Sequence, residues 1–203
     1  MASVLQVATI KDQGGNANAI EIANSSANVT INNLAGGAIG SAVTGFTGIK
    51  VYDNWRITAN TSPDASSPIS ANLERNDTAN VGFIGSPMSV SSGIWTFPMT
   101  GIYLIGFNAQ FYLNGSAQYI GTTIDSVVNG SATRLTISYT YVNRTNTAST
   151  YTSSFQQIAY DVPDTSTHKL RFFYLESSSG SANLWGSTNY TGTQFTFMRI
   201  GDT

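Results

Sequence analysis

Gly101-Ile102-Tyr103-Leu104-Ile105-Gly106-Phe107-Asn108-Ala109-Gln110-Phe111-Tyr112-Leu113 is the stretch on which the fold turns. Read at period two, it puts Tyr103, Ile105, Phe107, Ala109, Phe111 and Leu113 on one face. Ile102, Leu104, Gly106, Asn108, Gln110 and Tyr112 fall on the other. One side is cleanly apolar and the other mixed, the pattern of a long strand lying over a core. On either side of it, the spacing predicts further strands over Ile49–Thr58, Ile69–Leu73, Met88–Phe97, Tyr119–Val128, Thr133–Val142, Tyr151–Val162, Lys169–Leu175 and Gln194–Ile200. Polar loops separate them, and Asn129-Gly130 is a hairpin-turn signal. Regularly spaced strands with such loops indicate an all-β antiparallel sandwich or jelly roll.

Composition agrees with this reading. Charged residues are 10% of the 203, against about 25% in an average soluble domain. Ser, Thr and Asn supply 68 residues, whereas Glu and Lys number three each and Leu nine. Exposed helix faces are built from the scarce residues, so an all-α fold is close to excluded. A net charge of −2 with no Lys/Arg cluster argues against a nucleic-acid partner. No apolar run approaches the ~18 residues of a membrane-spanning helix, so membrane insertion is not expected. Met1-Ala2-Ser3-Val4-Leu5-Gln6-Val7 lacks the layout of a signal peptide. With no cysteine there is no disulfide framework or thiolate chemistry. Hydrophobic residues at 41% and aromatics at 11% suffice for a core.

The chain changes character near Phe46, its first aromatic residue. Before it, short alternating pieces (Val4–Val7, Ala19–Ile22, Asn28–Ile31) are separated by Asn/Gly/Ser turns, and AIEIAN and NVTINN form a weak repeat. Such short strands bury too little surface alone. They read either as a partly ordered tail or as a segment that orders against other chains, followed by a linker at 36–41. The expected organisation is an N-terminal docking and oligomerising segment over 1–47 and a sandwich domain over 48–203.

Catalytic chemistry is not expected. His168, the only histidine, sits in a Thr/Ser turn without a nucleophile motif near it. The acidic pairs Glu74/Asp77 and Asp161/Asp164 are weak candidates for glycosidase carboxylates, and Asp161-Val162-Pro163-Asp164 reads better as a turn. A calcium site near Asp125 or Asp161/Asp164 lacks an Asp-rich loop to support it. No metal and no cofactor are assigned. Eight Asn-x-Ser/Thr sequons occur, several expected by chance in so Ser/Thr-rich a chain. Binding candidates are aromatic residues beside amides: Trp185 and Tyr190 with Asn183 and Asn189, and Tyr112 and Tyr119 flanking Asn114-Gly115-Ser116. A flat apolar ring beside hydrogen-bonding groups suits sugar recognition, and packing or subunit contact is the competing role for Trp185. In Gln194–Ile200, Phe195 and Phe197 lie on one face and Met198 and Ile200 on the other, so both faces ask to be covered, one by a core and one by a partner subunit.

Trp95, five residues, then Gly101-Ile102-Tyr103-Leu104-Ile105-Gly106-Phe107 resembles the signature of the C1q/TNF-like jelly-roll family, with Trp95 where Phe is usual and Ile105 where an aromatic is usual. Asn183-Leu184-Trp185-Gly186 and Thr193–Ile200 resemble that family's final loop and last strand. The resemblance implies a homotrimer around a three-fold axis, with Phe195, Phe197, Met198, Ile200 and Tyr103 at the interface. Met1–Asn33 resembles the start of structural and fibre proteins of marine and cyanobacterial tailed phages, and the FTFMRIGDT ending is similar to C1q-like domains on such virions. This implies a virion location: residues 1–45 contact other virion proteins, and the jelly roll projects toward the host surface and a glycan there. A capsid decoration protein and a free lectin-like module are the alternatives.

Overall fold

The long alternating stretch forms β5 (Gly101–Leu113), and its six apolar-face residues are all completely buried. A computed structural model describes residues 48–62, 65–143, 149–177 and 182–203, all within the unit Thr47–Thr203. The docking segment expected over 1–47 lies outside the described residues.

Eleven strands run through the described residues: β1 (Tyr52–Ile57), β2 (Leu73–Arg75), β3 (Ser89–Ser91), β4 (Ile94–Thr96), β5, β6 (Ala117–Val128), β7 (Ser131–Val142), β8 (Thr150–Val162), β9 (His168–Glu176), β10 (Ala182–Leu184) and β11 (Gln194–Gly201). They form two antiparallel sheets. In the six-stranded sheet, β8 pairs with β5 along its whole length, from Gly101 opposite Val162 to Leu113 opposite Thr150. The other edge of β5 is shared by β11, which runs along its first half, and β10, which pairs its last three residues. Beyond β11 lie β1 and β2. The five-stranded sheet has the order β3-β4-β9-β6-β7.

Turn chemistry sets several of these elements. Asn129 and Gly130 both have positive φ (50° and 82°), the mirror-image turn that matches strand twist, and they join β6 directly to β7 as expected. Met88–Phe97, read as one stretch, is two strands folded on each other by Ser92 and Gly93, again both at positive φ. Ile69–Leu73 is not a strand: pairing begins at Leu73, while Ile69 is buried and donates its amide to Phe172 O at 2.8 Å. Gly101 opens β5 at φ 140°, and a β-carbon there would fall 2.3 Å from Arg199 Nε, so the position requires glycine.

The core lies between the sheets and centres on Trp95 of β4. Its ring meets Phe197 at 4.9 Å, Trp55 at 5.0 Å, Phe195 at 5.6 Å and Phe172 at 5.8 Å between centroids. Phe107 stacks on Phe195 at 4.7 Å, continuing the cluster along β5. Asp53, fully buried, ties β1 to its neighbours by accepting from Arg75 Nε (2.9 Å), Trp55 Nε1 (2.9 Å) and the Met88 amide (2.8 Å). This satisfies a carboxylate that would otherwise be costly to bury.

Two outcomes follow from the core. Trp95→Ala removes the ring that bridges the sheets, at a cost of about 3–5 kcal/mol, read as a fall in melting temperature on the order of 10 °C. Burial also raises the pKa of the Tyr103, Tyr160 and Tyr174 hydroxyls above 10.0, with Glu176 adding to the effect on Tyr174. Above about pH 10 the unfolded chain releases these protons and the folded chain keeps them, so stability is complete below that pH and declines as pH rises further. Tyrosinate absorbance followed beside circular dichroism should show these three ionising at higher pH than the exposed tyrosines; their ionisation together with the exposed ones in a folded chain would contradict the assignment.

Candidate functional site

Strand alternation leaves the outer face of the six-stranded sheet facing away from the core. Register places its side chains in rows: Ala159, Leu104, Met198 and Tyr52; then Gln157, Gly106, Thr196 and Asn54; then Phe155, Asn108, Gln194 and Arg56. Phe155 is 61% exposed between polar neighbours on β8. Its ring reaches over Gly106, where an added β-carbon would lie 4.0 Å from Phe155 Cε2. Nothing in the described residues covers it, and the core is full without it.

At the β10 end the same face carries an aromatic group. Leu184 points into the core with no exposure, so the next residue, Trp185, turns to the outer face. Its backbone stays in the sheet, donating to Gln110 O at 2.7 Å and accepting from Thr193 N at 3.3 Å. The indole meets Tyr151 edge-on at 5.2 Å and Tyr112 at 6.0 Å, and those two rings are 5.5 Å apart. Trp185 Nε1 donates to the Tyr190 hydroxyl at 2.9 Å. Asn183 stands opposite Tyr112, its Oδ1 accepting from Ser62 Oγ at 2.6 Å, and the Asn189 amide donates to Ser187 Oγ at 3.1 Å in the same loop.

No family model and no curated protein matches the chain. Among solved structures, it is similar to the Eiger TNF of S. frugiperda, with a TM-score of 0.55 and 13% identity over 76% of this chain and 95% of that one. Murine APRIL aligns with a TM-score of 0.52 at 14% identity, over 74% of this chain and 98% of that one. The fold is a TNF-like jelly roll. The globular domain of zebrafish complement 1qA also aligns, at 0.48 and 14% identity over 76% of this chain and 99% of that one.

The jelly roll sorts the residues singled out in the sequence. Phe195, Phe197 and Tyr103 have no exposed surface. They fill the space between the two sheets, so the expectation that they form a subunit interface is corrected: they are core. Met198 and Ile200 do lie on the outer side, and Ile200 is 54% exposed. Trp185, Tyr190, Tyr112 and Asn183 come together, with Asn189 in the same loop. Tyr119 does not join them; it sits on the other sheet, edge-on to Tyr139 at 5.3 Å. Tyr151 was missed, because only the β5–β8 register brings it opposite Tyr112; the alternation of Tyr151, Ser153 and Phe155 in β8 was the available signal.

Of the acidic candidates, Glu74, Asp77, Asp125 and Asp164 have structural partners, and Asp161 is exposed. Arg56, 2% exposed, donates to Glu74 Oε2 at 2.7 Å and Asp77 Oδ1 at 2.5 Å, so one guanidinium holds both carboxylates. Asp164 accepts from the Ser166 amide (2.8 Å) and hydroxyl (2.7 Å), shaping the expected turn, and these bonds hold its carboxyl below the usual range. Asp125 lies between Arg134 (3.3 Å) and Arg171 (3.9 Å). His168 Nδ1 shares a hydrogen bond with Thr167 Oγ1 at 2.9 Å.

Proposed function

We propose that this chain is a non-enzymatic, trimeric virion appendage protein, attached to the particle through residues 1–45 and contacting the host surface with its jelly roll. The observation that carries self-association is the outer face of the six-stranded sheet over β8, β5 and β11, where exposed Phe155 is separated from Leu104 and Met198 by the row of Gln157, Gly106 and Thr196. A second, different apolar strip supports a ring. On β7, Ile137, Tyr139 and Tyr141 are 40%, 57% and 74% exposed. Two unlike surfaces that pair across subunits make a heterologous contact, which forms a ring when the rotation between subunits closes. The virion setting rests on the resemblance of Met1–Asn33 to tailed-phage structural proteins. The engagement of Glu74, Asp77, Asp125 and Asp164 in structural bonds supports a binding role over hydrolysis.

Native mass spectrometry should give a particle of three 21.6 kDa chains. Phe155→Arg, a change at an exposed ring that the core does not use, should yield folded monomers with an unaltered circular dichroism spectrum. A wild-type chain that is monomeric at micromolar concentration would overturn the trimer. Cryo-electron microscopy of virions should place the protein on an appendage; density on the capsid surface would favour a decoration protein, and its absence from virions a free lectin-like module.

A further inference from the structure

We infer that Tyr112, Tyr151, Trp185 and Tyr190 form a carbohydrate site that takes a neutral pyranose ring. The inference rests on the reading of the jelly roll as a contact-making head, but not on its oligomeric state. The four rings form one connected group held in place from several sides. The Trp185 indole lies against Gly192, where an added β-carbon would fall 2.7 Å from Cδ1, so glycine lets the ring sit flush on the backbone. Its Nε1 is fixed by the Tyr190 hydroxyl, and its backbone by Gln110 and Thr193. Rings held this way lose little further freedom when a ligand arrives. Tyr151 and Tyr190 nonetheless remain 52% and 50% exposed, so the group is open to solution.

The surrounding chemistry selects the ligand class. The side chains placed around these rings are amides and a hydroxyl: Asn183, Gln110 and Ser62. None of them is charged, so the site offers nothing to a phosphate or carboxylate. A purely apolar partner would leave the amides unsatisfied. A pyranose matches both parts: its C–H face meets the negative ring faces, and its hydroxyls exchange hydrogen bonds with amide and hydroxyl groups. The site is also separate from the centre of the self-association face. Tyr112 is four residues beyond Asn108, the partner of Phe155, roughly 13 Å along the strand, and eight residues beyond Leu104.

Saturation-transfer difference NMR on the full chain tests this, with glucose, galactose, mannose and N-acetylglucosamine as probes at millimolar concentration. At least one should show transfer to its ring C–H protons, and affinity should fall ~10-fold or more in Trp185→Ala and in Tyr151→Ala, the loss typical of a central aromatic contact. Tyr151 is half exposed, so its variant decides the matter if Trp185→Ala does not fold. No transfer to any of the four sugars, or transfer undiminished in Tyr151→Ala, overturns the inference. Native mass spectrometry of the same samples separates the two proposals: a trimer without sugar binding removes this site alone, and a monomer that binds sugar through Tyr151 supports it while removing the trimer.

Discussion

The packing of Trp95 between the two sheets is the constraint on which the rest of the molecule depends. The residue belongs to one sheet, through β4, yet three of its four ring partners, Trp55, Phe195 and Phe197, belong to the other. Aromatic contacts at these distances add to the area they bury. Because side-chain direction alternates along a strand, committing Phe195 and Phe197 to this cluster also commits Met198 and Ile200 to the outside. The same holds for β5, where six residues face Trp95's layer and Leu104, Asn108 and Tyr112 face away. The exposed face is thus a consequence of the core, down to which residues can meet a partner.

Much of the fold was legible in the sequence because period two survives tertiary context. The apolar face of β5 and the β6–β7 hairpin could be read from residue order alone. What escaped was whatever depends on register between distant segments. Tyr151 joins Tyr112 only because β8 pairs with β5 along thirteen residues. β10, three residues long, is stabilised by the end of β5 rather than by its own pattern. The assignment of Phe195, Phe197 and Tyr103 to an interface failed for a related reason. A strand apolar on both faces announces two buried sides, but only the sandwich shows which side is core. The Ser91-Ser92-Gly93 turn signal was present in the sequence but was overridden by the apolar residues on both sides of it, Val90 and Ile94.

The scarcity of charge acquires a physical meaning in this structure. Asp53 with Arg75, and Arg56 with Glu74 and Asp77, are ties between segments, each with at least one partner largely withdrawn from water. Such pairs fix geometry more than they add stability, since desolvation offsets much of the attraction. With much of its charge used in this way, the outer surface of the six-stranded sheet is made largely of amides, hydroxyls and aromatic rings. A surface of that kind can bind a neutral ligand or a copy of itself without like-charge repulsion.

Hydroxyl-radical footprinting read by mass spectrometry tests most directly whether the outer face of the six-stranded sheet is the contact face. Compared between dilute and concentrated protein, Phe155 and Met198 should lose reactivity on concentration. Ile94, 40% exposed on the outer side of the five-stranded sheet, should keep its own and serve as the internal control. Equal reactivity of Phe155 and Met198 at both concentrations, in a chain shown to be oligomeric, would contradict the account.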